Sequence, residues 1–184
     1  MSTRANSMRT LINTESIAIR TRQLAEEISR DYEGRVPVLV GLLKGSVYFL
    51  SDLIRYMSCE HEVDFISISS YGSSTESSGI VRMLKDLERD VSGRDLIIVE
   101  DIIDSGISLD YICRNLASRN IRSLRICTLL DKRDRREREV DVHYVGFIIP
   151  NEFVVGFGLD FAERFRHLSE IAVMESEDLE NISE

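Results

Sequence analysis

The sequence lacks the features that mark several large classes of protein. Its three cysteines, Cys59, Cys113 and Cys127, are odd in number, widely spaced and without a CxxC pair. This pattern argues against a disulfide framework or a zinc site, and it indicates buried free thiols in a reducing compartment. Only two prolines occur, and no linker-like or repeated segment divides the 184 residues. We therefore predict a single domain over residues 1–184.

Long apolar runs, an apolar leader and an excess of basic charge are also missing. No run approaches the roughly 20 residues that span a bilayer, and the N-terminal stretch MSTRANSMRTLINTES has no apolar core. The formal net charge is −9, which argues against a general nucleic-acid-binding surface. We expect a cytoplasmic protein with neither a membrane nor a nucleic acid as its partner.

Along the chain, segments with helical periodicity alternate with segments that are typical of strands. Helical spacing occurs over residues 15–32, where Asn13-Thr14 is a plausible cap, and over 46–57 and 109–120, with a last helical turn near 161–168. Strands are predicted at 37–44, 61–69, 96–103 and 123–130, and residues 80–87 are expected to be extended. Strands that alternate with helices predict an α/β fold with a mostly parallel sheet.

The stretch LIIVEDIIDSGISL, residues 96–109, begins as a buried strand and ends in small polar residues. Ligands of open α/β sheets bind beyond the carboxyl ends of the strands, which is where Asp104 to Ser108 fall. Successive backbone N–H groups and the hydroxyls of Ser105 and Ser108 predict an anion cradle at a helix start, with Gly106 allowing close approach. We interpret this loop as a phosphate site.

The acidic half of the same stretch predicts a different contact. Glu100 and Asp101 cannot bind phosphate directly, but they suit sugar hydroxyls, or Mg²⁺ through water. A ligand that carries a phosphate, sugar hydroxyls and a second anion bound to a metal would fit both the phosphate loop and the two acids. The alternative is a capped strand-to-helix turn with solvated acids, which a D-S-G pattern alone favours. The two acids that precede the D-S-G residues on an apolar strand instead favour the interpretation as a ligand site.

The string VEDIIDSGIS resembles the phosphoribosyl-diphosphate (PRPP) signature of the type I phosphoribosyltransferases. More specifically, the sequence resembles the hypoxanthine-guanine phosphoribosyltransferases, and this resemblance covers about Glu15 to Met174. Four further segments contribute to it: LLKGSVYFLSDL, SSYGSSTESSG, LLDKRD and IPNEFVVGFGLDFAERFR. It implies the Rossmann-like type I phosphoribosyltransferase fold, a mostly parallel sheet flanked by helices. It also implies a small hood formed by the chain ends, roughly residues 1–14 and 150–184.

The resemblance implies an activity, a cofactor and partners. The reaction is transfer of 5-phosphoribose from PRPP to N9 of hypoxanthine or guanine, which gives IMP or GMP and pyrophosphate. Mg²⁺ is the implied cofactor, and a homodimer or homotetramer is the implied assembly. Two alternatives remain open: transfer to another 6-oxopurine such as xanthine, and a PRPP-sensing regulator of the same fold that binds nucleic acid.

The resemblance also assigns residues to each part of the ligand. The residues assigned to PRPP and its phosphate are Glu100, Asp101, Asp104, Ser105, Gly106, Ile107 and Ser108. Those assigned to pyrophosphate are Lys44, Gly45, Ser70, Tyr71 and Arg166. The residues assigned to the purine are Lys132, Phe153, Val154 and Asp160. Those assigned to the metal are Glu100, Asp101 and Asp160. Asp104 is the implied general acid or base at N7 of the purine.

Four of these assignments carry a specific expectation. Lys132 would hydrogen-bond O6 of the purine, and Phe153 would stack on the ring. Lys44–Gly45 lies where the resembled family often has a cis bond. Ser70 and Tyr71 would form the base of a lid, residues 72–79, that excludes water.

Other residues are left without a role. The mixed-charge run DRREREVD, residues 134–141, predicts a solvated loop without function. Asn151, Phe157 and Phe161 replace residues that are commonly Asp or Tyr in the family, so the sequence does not decide the base preference.

Overall fold

The computed structural model describes residues 8–70 and 81–175. Its strands are β1 (Arg9–Ile12), β2 (Val38–Leu43), β3 (Glu62–Ser70), β4 (Val81–Lys85), β5 (Asp95–Ile103), β6 (Ser123–Asp131), β7 (Tyr144–Ile148), β8 (Val154–Val155) and β9 (Ile171–Val173). Its helices are α1 (Thr14–Asp31), α2 (Val47–Tyr56) and α3 (Ile107–Ala117), and a short 3-10 turn spans Arg133–Arg135.

The larger sheet confirms the predicted α/β fold. Its strand order is β4-β3-β2-β5-β6-β7, and every neighbouring pair is parallel except β3 with β4. The carboxyl ends of β2, β5 and β6 therefore lie side by side. The predicted strands at 37–44, 61–69, 96–103 and 123–130 are confirmed as β2, β3, β5 and β6.

Helices cover both faces of this sheet. Helix α1 begins where the Asn13 side chain accepts a hydrogen bond from Ser16 N at 2.8 Å, and its apolar stripe is Ile17, Leu24, Ala25 and Ile28. This stripe packs with α2 on one face, in a core that includes Leu39, Val99 and Leu129. Leu109, Ile112 and Leu116 of α3 pack on the other face, against Leu96 and Ile98. The ligand site predicted at residues 100–108 lies at the edge of this sheet, between the two cores.

A second, antiparallel sheet brings the two ends of the described chain together. Its order is β1-β9-β8, with Arg9 paired to Val173 and Val154 paired to the same residue from the other side. Strand β8 and the turns that follow it lie next to the loop after β2, because Gly158 contacts Gly45. That this small sheet acts as a hood over a bound base stays a prediction.

The predicted helical turn near 161–168 is wrong. Phe161 and Arg164 instead exchange backbone hydrogen bonds of 3.2 and 3.0 Å across a two-residue turn. The two turn residues, Ala162 and Glu163, have φ values of 51° and 62°. Left-handed backbone of this kind is excluded from a right-handed helix.

The three cysteines are free thiols, as predicted, although Cys127 is buried whereas Cys59 and Cys113 are half-buried. Within the described parts of the chain, no helix combines the length and apolar character required to cross a membrane.

Candidate active site

The segment from Asp104 to Ser108 leads from β5 into the first turn of α3, and all of it except Ile107 lines a cavity of about 150 Å³, together with Glu100 and Leu109. Gly106 directly precedes α3 with a φ of 81°, and a β-carbon there would stand 2.5 Å from the carbonyl oxygen of Arg138. Only glycine therefore fits this position. The structure brings the predicted phosphate-site residues together at the start of a helix.

The adjacent carboxylates of Glu100 and Asp101 face opposite sides, as successive strand residues do. Glu100 lines the cavity, and its Oε2 is a buried oxygen without a hydrogen-bond partner among the described residues. Burial, reinforced by the charge of Asp101, raises the pKa of Glu100 well above its usual range. Burial also raises the pKa of Asp101 to about 6, against the opposing effects of backbone N–H groups and Arg166. Two adjacent carboxyl groups with raised pKa values at a strand end, one of them with an unpartnered buried oxygen, indicate a site for a cation or hydroxyl ligand.

Asp101 lies against the loop that follows β2. A β-carbon on Gly45 would stand 1.7 Å from Asp101 Oδ2, and one on Gly158 would stand 2.0 Å from the Gly45 carbonyl oxygen. The β2 loop is therefore held between the end of β5 and the turns after β8. The cis peptide bond lies between Leu43 and Lys44, one bond before the expected position at Lys44–Gly45.

The two cations expected at pyrophosphate are paired with acids. Arg166 lies 2.8 Å from Asp160 Oδ1 and donates to the Gly158 carbonyl oxygen at 2.8 Å. Lys44 Nζ lies 2.9 Å from Glu163 Oε2. Glu163 was missed because only the left-handed turn at 162–163 directs it towards Lys44, and no sequence pattern specifies that turn.

Asp104 and Lys132 meet at the ends of neighbouring strands. The Lys132 Nζ lies 3.5 Å from Asp104 Oδ2, and the Lys132 side chain is only 8% exposed whereas that of Asp104 is 42% exposed. Lys132 N donates to the Ile103 carbonyl oxygen at 3.0 Å, which fixes the end of β6 beside the end of β5. A buried ammonium and an accessible carboxylate thus face the same space.

The run at 134–141 is mostly exposed, as predicted for a solvated loop, but it also contacts the loop after β5. Arg135 Nε donates to Asp104 Oδ1 at 3.0 Å. The Ser105 carbonyl oxygen accepts hydrogen bonds from Glu137 N and Arg138 N at 2.9 and 3.0 Å. The run therefore packs on the phosphate loop, through backbone contacts that a charge pattern cannot reveal.

Phe153 precedes β8 and is 42% exposed, although an apolar run usually buries its phenylalanine. Its only aromatic neighbour in the described chain is Phe161, edge to face at 5.5 Å between ring centroids. Val154 and Phe157 are buried. A ring face is therefore available for stacking at this position.

Part of the predicted site is not described. Ser70 ends β3, whereas Tyr71 and the lid expected at 72–79 lie outside the described residues. Among residues 8–70 and 81–175, no three His, Cys, Asp or Glu side chains are grouped closely enough to hold a metal ion by themselves.

Comparison with known proteins agrees with this geometry. The phosphoribosyl transferase domain model matches residues 8–162. A hypoxanthine-guanine phosphoribosyltransferase of Mycobacterium tuberculosis is 50% identical over 171 residues, which cover 90% of this chain and 85% of that protein. The enzyme of the same name from Bacillus subtilis is 44% identical, covering 89% and 91%. The crystal structure of a hypoxanthine phosphoribosyltransferase from Staphylococcus aureus superposes with a TM-score of 0.90 at 40% identity, covering 96% and 98%. The chain therefore belongs to the phosphoribosyl transferase family, among its hypoxanthine-guanine phosphoribosyltransferases.

Proposed function

We propose that this enzyme acts in purine salvage and transfers 5-phosphoribose from PRPP to N9 of hypoxanthine or guanine. The products are IMP or GMP and pyrophosphate. The observation that carries the proposal is the position of Asp104 and Lys132, 3.5 Å apart beside the phosphate loop. This arrangement offers one proton acceptor and one cation to the same edge of a base.

The N7 and O6 atoms of a 6-oxopurine lie next to each other on one edge. The Lys132 ammonium has three donors and no acceptor, so it suits an O6 oxygen. Asp104 accepts the proton from N7 as the N9–C1′ bond forms. The C1′–oxygen bond to pyrophosphate breaks, and pyrophosphate leaves with the electron pair. Negative charge that develops on the base is shared with O6, where Lys132 stabilises it.

The remaining parts of PRPP have matching groups. The 5-phosphate binds the loop at 104–108, and Glu100 and Asp101 bind the ribose hydroxyls. Pyrophosphate binds near Gly45, with Lys44 and Arg166 as its cations. Because both cations are paired with acids in the structure, pyrophosphate has to displace Glu163 from Lys44 and compete with Asp160 for Arg166. Phe153 stacks on the purine, and Val154 binds its edge through backbone groups.

The site also fits Mg²⁺, although the protein alone offers few ligands. The unpartnered Glu100 Oε2 and the buried Asp101 carboxylate are oxygen donors, which Mg²⁺ prefers. When bound, Mg²⁺ neutralises the charge on the leaving pyrophosphate. Glu100, Asp101 and Asp160 would hold it only together with ligand oxygens. Calorimetry tests this: Mg²⁺ should bind weakly to the free protein and tightly with pyrophosphate present. Tight binding to the free protein would contradict it.

A substrate panel tests the proposed reaction. Pyrophosphate release is measured with PRPP, Mg²⁺ and hypoxanthine, guanine, xanthine or adenine. Hypoxanthine or guanine should react, whereas adenine should be poorer by about 10³-fold or more, because its amino group offers Lys132 no acceptor. Xanthine as the best substrate would establish the alternative 6-oxopurine activity. No turnover with any base, combined with binding of PRPP, would favour a regulator.

We also propose that the protein forms a homodimer or homotetramer in the cytoplasm. Val47 and Tyr48 at the start of α2 and Tyr56 at its end are 38–42% exposed, which leaves apolar surface along this helix. Free thiols at all three cysteines suit a reducing compartment. Light scattering after size-exclusion chromatography tests the assembly, and a monomer at micromolar concentration would contradict it.

A further inference from the structure

We infer that Arg135 is a positioning residue for the proton transfer, fixing the Asp104 carboxylate so that its Oδ2 receives the N7 proton. This inference rests on the proposed function. It assigns a role in the reaction to a residue of the charged run, for which the sequence predicted none. The geometry that carries it is the pairing of the two Asp104 oxygens with two different cations.

Each oxygen of Asp104 has its own cation. Arg135 Nε donates to Oδ1 at 3.0 Å, within normal hydrogen-bond distance. Lys132 Nζ is 3.5 Å from Oδ2, which is an ion pair with loose geometry. Arg135 therefore holds Asp104 more closely than Lys132 does.

The two cations belong to one turn, since Lys132 directly precedes the 3-10 turn that contains Arg135. Arg135 N donates to the Lys132 carbonyl oxygen at 3.1 Å, and Lys132 N is bound to the Ile103 carbonyl oxygen. The 3-10 turn is thus anchored to the end of β5, which also carries Asp104. This anchoring keeps the distance between the Arg135 guanidinium and the carboxylate short. Asp104 is the one carboxylate within ion-pair distance of Arg135 among the described residues.

Substrate binding changes the two contacts differently. When the Lys132 ammonium turns to O6 of the purine, it withdraws from Oδ2 and leaves that oxygen free for the N7 proton. Arg135 contacts Oδ1 and does not bind the purine, so it keeps the Asp104 carboxylate in the same orientation throughout. A general base gains from such orientation because proton transfer requires hydrogen-bond distance and direction. The side chains of Arg135 and Asp104 are 50% and 42% exposed, so the effect is moderate.

The test begins with three variants, each measured by steady-state kinetics with PRPP, Mg²⁺ and hypoxanthine. Arg135→Ala should lower kcat about 3–10-fold, the scale of one half-exposed charged hydrogen bond, and leave the KM for PRPP within about twofold. Arg135→Lys should recover part of the loss. Arg138→Ala is the matched control for charge in the same segment, because its exposed side chain makes no hydrogen bond or ion pair within the described chain.

A double-mutant cycle separates positioning of Asp104 from a general structural effect. In an Asp104→Asn background, where no carboxylate accepts the proton, Arg135→Ala should change kcat by less than about twofold. An equal fall in both backgrounds would overturn the inference, as would a raised KM for PRPP with unchanged kcat. Wild-type enzyme without transferase activity would instead overturn the proposed function, and this inference with it.

Discussion

Asp101 Oδ2 occupies the space in which a side chain of residue 45 would begin, since a β-carbon on Gly45 would stand 1.7 Å from that oxygen. Gly45→Ala must therefore move either the Asp101 carboxylate or the β2 loop. The β2 loop is proposed to bind pyrophosphate, and Asp101 is proposed to bind the ribose hydroxyls and Mg²⁺. We expect kcat/KM for PRPP to fall about 10²-fold or more, as displacements near 1 Å do in active sites. Steady-state kinetics at varied PRPP measures this.

Gly34→Ala is the control for this prediction. Gly34 has a φ of 71° and no neighbouring atom within 4 Å, and it lies before β2, at the opposite end of the strand. Alanine there should cost about 1–2 kcal/mol of stability through backbone strain alone. The KM for PRPP should be unchanged. If Gly45→Ala affected only stability as well, the contact with Asp101 would have no functional importance.

The sequence predicts the frame of this enzyme well because burial is periodic. Strands β2, β5 and β6 and helices α1 to α3 each carry an apolar pattern of the correct period, and a strand end followed by Asp104 to Ser108 indicates a ligand loop. Contacts between segments distant in sequence leave no such pattern. Lys44 with Glu163 and Asp104 with Arg135 are separated by 119 and 31 residues, and each depends on a local turn.

The C-terminal turns show where local reasoning fails. Residues 161–168 combine aromatic, charged and alanine residues that suit a helix, yet Ala162 and Glu163 adopt left-handed backbone. Asp160 Oδ2 accepts a hydrogen bond from Glu163 N at 2.9 Å, and Arg166 binds Asp160, so side-chain contacts stabilise the turn. Tertiary contacts thus override helix propensity here.

Phe153→Ala should weaken purine binding with little effect on stability. Phe153 is 42% exposed, so removal of its ring leaves no internal cavity. Stacking of a base on an aromatic ring is worth about 1–3 kcal/mol, so the Kd for the purine nucleotide should rise about 5–150-fold. Phe157→Ala is the contrasting variant, because Phe157 is 8% exposed and its loss should cost about 3–5 kcal/mol of unfolding free energy. Unchanged nucleotide affinity in Phe153→Ala would exclude the stacking role. Calorimetry and urea unfolding give the two quantities.

Asp101 should make the metal-free protein less stable as pH rises. Its folded pKa of about 6 lies above the ordinary value of 3.8, because burial disfavours the charged form. Between these values the folded state holds more protons, so the free energy of unfolding falls as pH rises from about 4 to about 6. The favourable contribution is complete below the ordinary pKa and is lost above about pH 6. It amounts to at most about 3 kcal/mol.

Asp101→Asn removes this titration and should weaken the pH dependence, leaving the part that comes from Glu100, whose pKa burial also raises. Urea unfolding at several pH values, with a chelator present, compares it with wild type. The variant should be the more stable protein at pH 7. Glu60→Gln, at an exposed position, should leave the wild-type dependence unchanged. Parallel curves for wild type and Asp101→Asn would show that Asp101 ionises normally.

Asp104→Asn separates proton transfer from phosphate binding within one loop. Asparagine keeps the size of the side chain and an oxygen that accepts from Arg135 Nε, but it cannot receive a proton. We expect kcat to fall about 10²–10⁴-fold, the usual contribution of general acid–base catalysis. PRPP affinity should change much less, because the proposed phosphate site consists of backbone N–H groups and the hydroxyls of Ser105 and Ser108. Rapid-quench measurement of single turnovers isolates the chemical step.

Ser108→Ala is the matched variant from the other end of the loop. It removes one hydroxyl at the start of α3 and leaves Asp104 in place, so the KM for PRPP should rise while kcat stays comparatively intact. A contact made equally in the ground state and the transition state has this effect. If both variants lost PRPP affinity and kept turnover at saturation, Asp104 would be a structural part of the loop. The N7 proton would then pass to water or to another carboxylate, and Glu100, which lines the same cavity, would be the next residue to substitute.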